Sequence, residues 1–155
     1  MPGDTTYEMK ERFVKDVIEF APAKVLIMGG TNDIFSNKSL SDVLNNIDAM
    51  VKLSIKNEII PIIITPIPVN GDIKYKTWFE NMDYKKVNEK LSDLRKSIVE
   101  YGKKENVNVI DLGTILLEKS KMKYHFLNDG IHVSKEMHRE IAEIIFNLIA
   151  EFNRK

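Results

Sequence analysis

Apolar residues recur along this chain at two spacings, and the two spacings alternate. In four segments they follow steps of three and four, which is typical of amphipathic helices packed on a core. These predicted helices cover residues 6–20, 40–55, 84–101 and 134–152. Three short runs between them are almost wholly apolar and rich in β-branched residues, as buried parallel strands are. These predicted strands cover residues 24–28, 59–65 and 107–112. The alternation of helix and strand predicts an α/β fold with a parallel sheet and right-handed crossovers.

Local signals define the ends of several predicted helices. Thr5 and Glu8 have the spacing of a capping box, and the apolar stripe Met9, Phe13, Val17, Phe20 follows them. Ser134 is placed to cap the last helix. We therefore expect one continuous first helix and a final helix that begins just after Ser134.

Composition narrows the class of protein. The chain has 155 residues, 43% of them apolar, which favours one globular domain over residues 1–155. Its 23 basic and 23 acidic side chains cancel and are dispersed, so the sequence predicts no nucleic-acid partner. No cysteine is present, and the apolar runs are too short or too broken by proline to span a membrane. A cytoplasmic location is the expectation.

Two short polar segments follow predicted strands or precede a predicted helix. Gly30-Thr31-Asn32-Asp33 comes directly after the first strand, and Asp129-Gly130-Ile131-His132 comes before the last helix. Ligand sites in open α/β sheets form at the carboxyl edge of the strands, where both segments are expected. Neutral His132 can accept a proton near pH 7, and Asp129 is close enough in one turn to bind its ring Nδ1. Taken alone, each segment is also compatible with a structural turn or a helix cap.

Together with Gly3-Asp4-Thr5, these segments resemble three of the four sequence blocks of the SGNH (GDSL-type) hydrolases, a family of small esterases and lipases. The resemblance extends from Gly3 to the last helix. It implies a three-layer α/β/α, flavodoxin-like fold and serine-dependent cleavage of carboxylic esters. It also implies that His132 is the base, that Asp129 orients it, and that Asn32 and Gly3 donate hydrogen bonds to the oxyanion.

The fourth block, which carries the nucleophile, has no counterpart here. No Gly-Asp-Ser occurs in the sequence, and none of its serines is a convincing substitute, so the nucleophile is unknown. The family places two strands ahead of the Gly-Asp-Thr block. We therefore expect an N-terminally truncated form with about three strands. Trp78 and Phe79, in the aperiodic segment 66–82, are candidates for contact with the substrate.

The missing strands have a consequence for association. The predicted strand 24–28 would become an unpaired apolar edge, which predicts a homodimer at that edge. Two copies could join these strands into one continuous sheet or bury the uncovered helix faces, and the sequence does not decide between the two. A small acyl or acetylated ester is the expected substrate, and no cofactor or metal is expected. Two other functions stay open. One is a non-catalytic dimeric remnant or ligand-binding module, and the other is a metal-dependent phosphoesterase using Asp33, Asp129 and His132.

Overall fold

A single parallel sheet forms the centre of the computed structural model, which describes residues 3–71, 82–118 and 126–152. Its strands lie in the order β1-β2-β3. Their bounds are Lys24–Met28 for β1, Ile60–Ile64 for β2 and Asn108–Ile110 for β3. Lys24 pairs with Ile60 and Met28 with Ile64, while Ile62 pairs with Asn108. The predicted parallel sheet of about three strands is confirmed.

Helices cover both faces of this sheet. They are α1 (Thr6–Glu11), α2 (Phe13–Asp16), α3 (Thr31–Phe35), α4 (Leu40–Lys56), α5 (Tyr84–Glu105), α6 (Leu112–Glu118) and α7 (Lys135–Phe152). Because side chains alternate along a strand, Ile63 faces a core formed with α2, α4 and α5. Its neighbours Ile62 and Ile64 face the opposite core, which α7 covers. The predicted α/β/α layering is therefore confirmed.

The expected continuous first helix is wrong in its second half. The helix ends at Glu11, resumes over α2, and finishes in a 3₁₀ turn over Ile18–Phe20. Arg12 stands at the first break, where its guanidinium reaches back to Asp4 and forward to Asp16. Phe20 was expected on the apolar face, but it is 76% exposed because the chain turns away from the core there.

Most other boundaries differ by one or two residues from the sequence prediction, but α5 extends four residues beyond its predicted end, to Glu105. The second strand begins and ends one residue inside its predicted range, and the third shortens to Asn108–Ile110 because Leu112 already starts α6. Short helices such as α3 and α6 were not predicted, since five to seven residues are too few to show a period. Ser134 does cap α7, as its hydroxyl accepts from the Met137 N–H at 3.3 Å.

Strand β1 forms one edge of the sheet. In the described part of the chain its only strand partner is β2. Leu26 and Met28 are 44% and 40% exposed, and both point to the face that α7 covers further along the sheet. Within the described ranges, no helix has the length and apolar character needed to cross a bilayer.

Candidate active site

Asp129 and His132 form a compact turn, which we call the His132 turn (residues 129–132). One carboxylate oxygen of Asp129 accepts from the main-chain N–H groups of Ile131 and His132, both at 2.9 Å. The other oxygen lies 2.6 Å from the His132 ring Nδ1. The sequence prediction that these two side chains meet is thus supported in the structure. The His132 ring is 61% exposed, whereas the Asp129 side chain is only 12% exposed.

The carboxylate of Asp129 is held in its charged form. Burial opposes its ionisation, but the hydrogen bonds from the His132 ring and from the two main-chain N–H groups outweigh burial and lower the pKa of Asp129. A charged Asp129 favours the tautomer in which Nδ1 carries the proton and donates to the carboxylate. In a neutral ring of this tautomer, Nε2 is the nitrogen that can accept a proton. The turn therefore has the electrostatic arrangement of an oriented general base.

The second group, which we call the Asn32 cluster, joins the segment Gly3–Thr6 to the turn Gly30–Asp33. The Asn32 Nδ2 donates to the Asp4 carbonyl at 2.9 Å. Asp33 is 1% exposed, and its two oxygens accept from the Thr6 N–H at 2.9 Å and from the Thr6 hydroxyl at 2.7 Å. These bonds bring together two segments that the sequence separates by more than twenty residues.

Glycine is required at position 30 for two reasons. Its φ of +110° is one that residues with a side chain rarely adopt, and an added Cβ would lie 2.5 Å from Leu94 Cδ2 of α5. The strand can therefore pass directly into α3, which places Asn32 in the first turn of that helix at the carboxyl edge of the sheet.

Gly3 and Asn32 both line a cavity of about 430 Å³ at the end of β1. Gly3 has a φ of +87°, and a Cβ there would meet no atom within 4 Å, so the space before its backbone is open. Met28 and Arg12 line the same cavity. The Arg12 Nε donates to Asp4 at 2.7 Å, and its bonds to Asp16 and Asp4 raise the pKa of the guanidinium.

The structure thus brings the candidate residues together in two groups. Gly3 and Asn32 share one cavity, and Asp129 and His132 share one turn. Tyr84 contacts both regions, because its ring lies against Phe35 of α3 and its hydroxyl donates to the Asp129 carbonyl. Trp78 and Phe79 lie outside the described residues.

Sequence reasoning missed the roles of Thr6, Arg12 and Tyr84. Thr6 and Arg12 belong to α1 and its break, where the pattern showed only a capping box and an apolar stripe. Tyr84 begins the predicted helix 84–101 and is a core residue at 2% exposed, but its hydroxyl also has a polar partner. A buried tyrosine usually has such a partner, which is the one signal that was available.

Asp33 does not join Asp129 and His132, as the metal-dependent alternative would require. Its oxygens are bound to Thr6 in the buried Asn32 cluster. Among residues 3–71, 82–118 and 126–152, no three acidic or histidine side chains are grouped as metal ligands would be.

A family model described as GDSL-like Lipase/Acylhydrolase matches residues 1–140. The match covers most of the chain, and this protein belongs to that family. Among proteins of curated function, none matches this sequence.

Solved structures agree with this assignment. A GDSL-like lipase from Bacteroides thetaiotaomicron is 25% identical with a TM-score of 0.81, and the match covers 96% of this chain and 72% of that one. A lipase/acylhydrolase from Enterococcus faecalis is 24% identical with a TM-score of 0.75, over 96% of this chain and 72% of its own. A catalytic mutant of an acetylxylan esterase from Geobacillus stearothermophilus shares the fold at 19% identity and a TM-score of 0.76, over 94% and 67%.

Proposed function

We propose that this chain carries the base and the oxyanion-binding half of a lipolytic carboxylic-ester hydrolase. His132 is the general base, Asp129 orients it, and Asn32 and Gly3 are the oxyanion donors. The observation that carries the proposal is the 2.6 Å contact between Asp129 and the His132 Nδ1, formed by a carboxylate that two main-chain N–H groups also hold. Membership of a lipase and acylhydrolase family supports the same chemistry.

Each group has a defined part in acyl transfer. A nucleophile attacks the ester carbonyl while His132 takes the proton of the nucleophile. His132 then passes this proton to the leaving alkoxide. Negative charge develops on the carbonyl oxygen, where the Asn32 amide and the Gly3 N–H stabilise it. An amide NH₂ has two hydrogens, so Asn32 can bind the Asp4 carbonyl with one and a substrate oxygen with the other.

We identify no serine of this chain as the nucleophile. No Gly-Asp-Ser occurs in the sequence. Several of the described serines have structural roles. Ser39 and Ser134 cap helices, and the hydroxyls of Ser54 and Ser97 donate to main-chain carbonyls one helical turn back. We therefore expect weak or no turnover from this chain by itself.

The substrate we propose is a small acyl or acetylated ester. The cavity beside Asn32 has a volume of about 430 Å³, which is large enough for a small ester, and one structural neighbour is named as an acetylxylan esterase. The cytoplasmic location and the lack of a nucleic-acid partner stay predictions from the sequence.

The test combines a fluorophosphonate probe, read by intact mass and peptide mapping, with hydrolysis of p-nitrophenyl acetate. The His132→Ala variant is the matched control for the base. One labelled serine and turnover that depends on His132 would identify the missing nucleophile. Turnover that His132→Ala leaves unchanged would contradict the proposal.

A second candidate is a ligand-binding module of the same fold that performs no chemistry. The open cavity beside Gly3 and Asn32 favours it, since this space is formed without a serine. Titration with acetate and with acetylated short alcohols, monitored through the chemical shifts of Gly3 and Asn32, distinguishes the binding module from the hydrolase. Binding without label and without turnover would support the module.

We also propose that two copies associate through the edge strand β1. Exposed Leu26 and Met28 lie on this strand, and unpaired apolar edges pair with other chains. Light scattering after gel filtration should give a dimer that Leu26→Lys converts to monomer. Val14→Lys, at a residue that is also 49% exposed but lies on α2, is the control. A monomeric wild type at all concentrations would rule this association out.

A further inference from the structure

The His132 turn is held in place by helix α5, at the end of the helix where it begins. Tyr84 is the first residue of α5, and its hydroxyl donates to the main-chain carbonyl of Asp129 at 3.3 Å. The contact reaches the backbone of the residue whose side chain orients His132. A tyrosine buried to 2% exposure has few alternative rotamers, so this hydroxyl is a fixed point for the turn.

A second connection runs from Asn88, one helical turn further on. Its Oδ1 accepts from the Val69 N–H at 2.9 Å, and its Nδ2 donates to the Val69 carbonyl at 2.8 Å. The amide therefore satisfies both main-chain groups of one residue in the segment that follows β2. The next residue, Asn70, donates its N–H to the Gly130 carbonyl at 2.8 Å. Asn88 thus fixes the segment 69–70, and this segment binds the His132 turn.

The same end of α5 contacts the helix that contains Asn32 and Asp33. The Tyr84 ring lies 6.3 Å from the ring of Phe35, the last residue of the helix that contains Asn32 and Asp33. Lys90 of α5 also donates to the Asn37 side chain, two residues beyond this helix. The beginning of α5 consequently contacts the His132 turn directly and the Asn32 cluster through α3.

We infer that Tyr84 and Asn88 are positioning residues that set the orientation of the Asp129–His132 pair. Neither touches the reacting atoms. Tyr84 fixes the backbone of Asp129, and Asn88 fixes Gly130 through Val69 and Asn70. That this orientation matters for catalysis rests on the proposed function. The orientation itself does not, because it can be measured without a substrate.

Two measurements report that orientation. The first is the fraction of the neutral His132 ring that carries its proton on Nδ1, read from ring nitrogen chemical shifts. The second is hydrogen exchange at the amides of Ile131 and His132, which the Asp129 carboxylate protects. The amides of α4 serve as an internal reference, because a general loss of stability would accelerate them too.

Tyr84→Phe removes one hydroxyl, and Asn88→Ala removes both bonds to Val69. We expect Tyr84→Phe to accelerate exchange at Ile131 and His132 about fivefold, the effect of one lost hydrogen bond. Asn88→Ala, which loses two bonds and acts through Val69 and Asn70, should accelerate it by at least as much. The Nδ1–H fraction of His132 should fall in both variants, while exchange in α4 stays unchanged.

Tyr101→Phe is the matched control for the first variant, since it removes a hydroxyl from the same helix that is bound to Asp48 instead. Glu89→Ala is the control for the second, at an exposed neighbour of Asn88. Unchanged exchange and an unchanged ring in Tyr84→Phe and Asn88→Ala, or equal changes in the controls, would overturn the inference. If Asn88→Ala does not fold, Tyr84→Phe decides alone. Because no substrate is used, this result can be read whatever the esterase activity of the wild type. Turnover that His132→Ala leaves unchanged would count only against the proposed function.

Discussion

Asp33 and Asp129 each belong to one of the two polar motif segments, but their carboxylates have different surroundings. Asp33 is 1% exposed and accepts from the main-chain N–H and the hydroxyl of one residue, Thr6. Asp129 accepts from its own turn, and its ring partner His132 is 61% exposed. The first carboxylate joins distant segments, and the second holds an exposed imidazole ring. The difference shows that the bonding partner, which the motif letters do not state, separates a carboxylate that joins two segments from one that holds an exposed side chain.

The largest effect is expected from Asp33→Ala. This variant leaves the buried Thr6 N–H and hydroxyl without their acceptor, which should lower the free energy of unfolding by about 4 kcal/mol. Urea denaturation measures it. Asp33→Asn, which keeps one oxygen acceptor, should lose about half as much. A loss below about 1 kcal/mol in Asp33→Ala would show that this carboxylate does not hold the Asn32 cluster together.

Gly30→Ala should come next, at about 3 kcal/mol. The new Cβ would lie 2.5 Å from Leu94 Cδ2, and the φ of +110° adds backbone strain. Gly3→Ala, with a positive φ but open space before it, is the matched variant and should cost about 1 kcal/mol. Equal losses in the two would mean that contact with Leu94 is not what requires a glycine.

A smaller effect is expected from pH, through the lowered pKa of Asp129. Because the pKa of this carboxyl is lower in the folded protein, its stabilising contribution is complete above the unfolded value of about 3.9 and is lost as the pH falls through the folded value. The stability difference between wild type and Asp129→Asn should therefore shrink from pH 7 to pH 3. A difference that stays constant over this range would contradict the lowered pKa.

The smallest effect on stability is expected from His132→Ala. The ring is mostly exposed, so the free energy of unfolding should change by no more than about 0.5 kcal/mol. Thermal unfolding monitored by circular dichroism is sufficient to test this. A large loss would show that His132, like Asp33, has a structural role.

Much of the fold followed from the sequence, because its signals were local and long. The stripes of α4, α5 and α7 and the apolar runs of the three strands span enough residues to show a period. The break at Arg12 could not be predicted, since it accompanies bonds to Asp4 and Asp16 that no periodic pattern shows.

The candidate site was predictable in part for a similar reason. Asp129 and His132 lie three residues apart, so their contact is a property of one turn. The bonds of Thr6 to Asp33 and of Asn88 to Val69 join residues 27 and 19 positions apart, and only the folded chain brings them together. The motifs therefore indicated the candidate site residues, but not the residues that position them.

The same separations bear on the order in which the two groups form during folding. Closing a turn of a few residues takes nanoseconds to microseconds, whereas contacts between distant segments wait for longer loops to close and for the sheet to assemble. The Asp129–His132 contact spans three residues, and the Thr6–Asp33 contact encloses β1. In refolding, His132 should therefore meet its carboxylate early and transiently, and the Asn32 cluster should become protected from exchange only later.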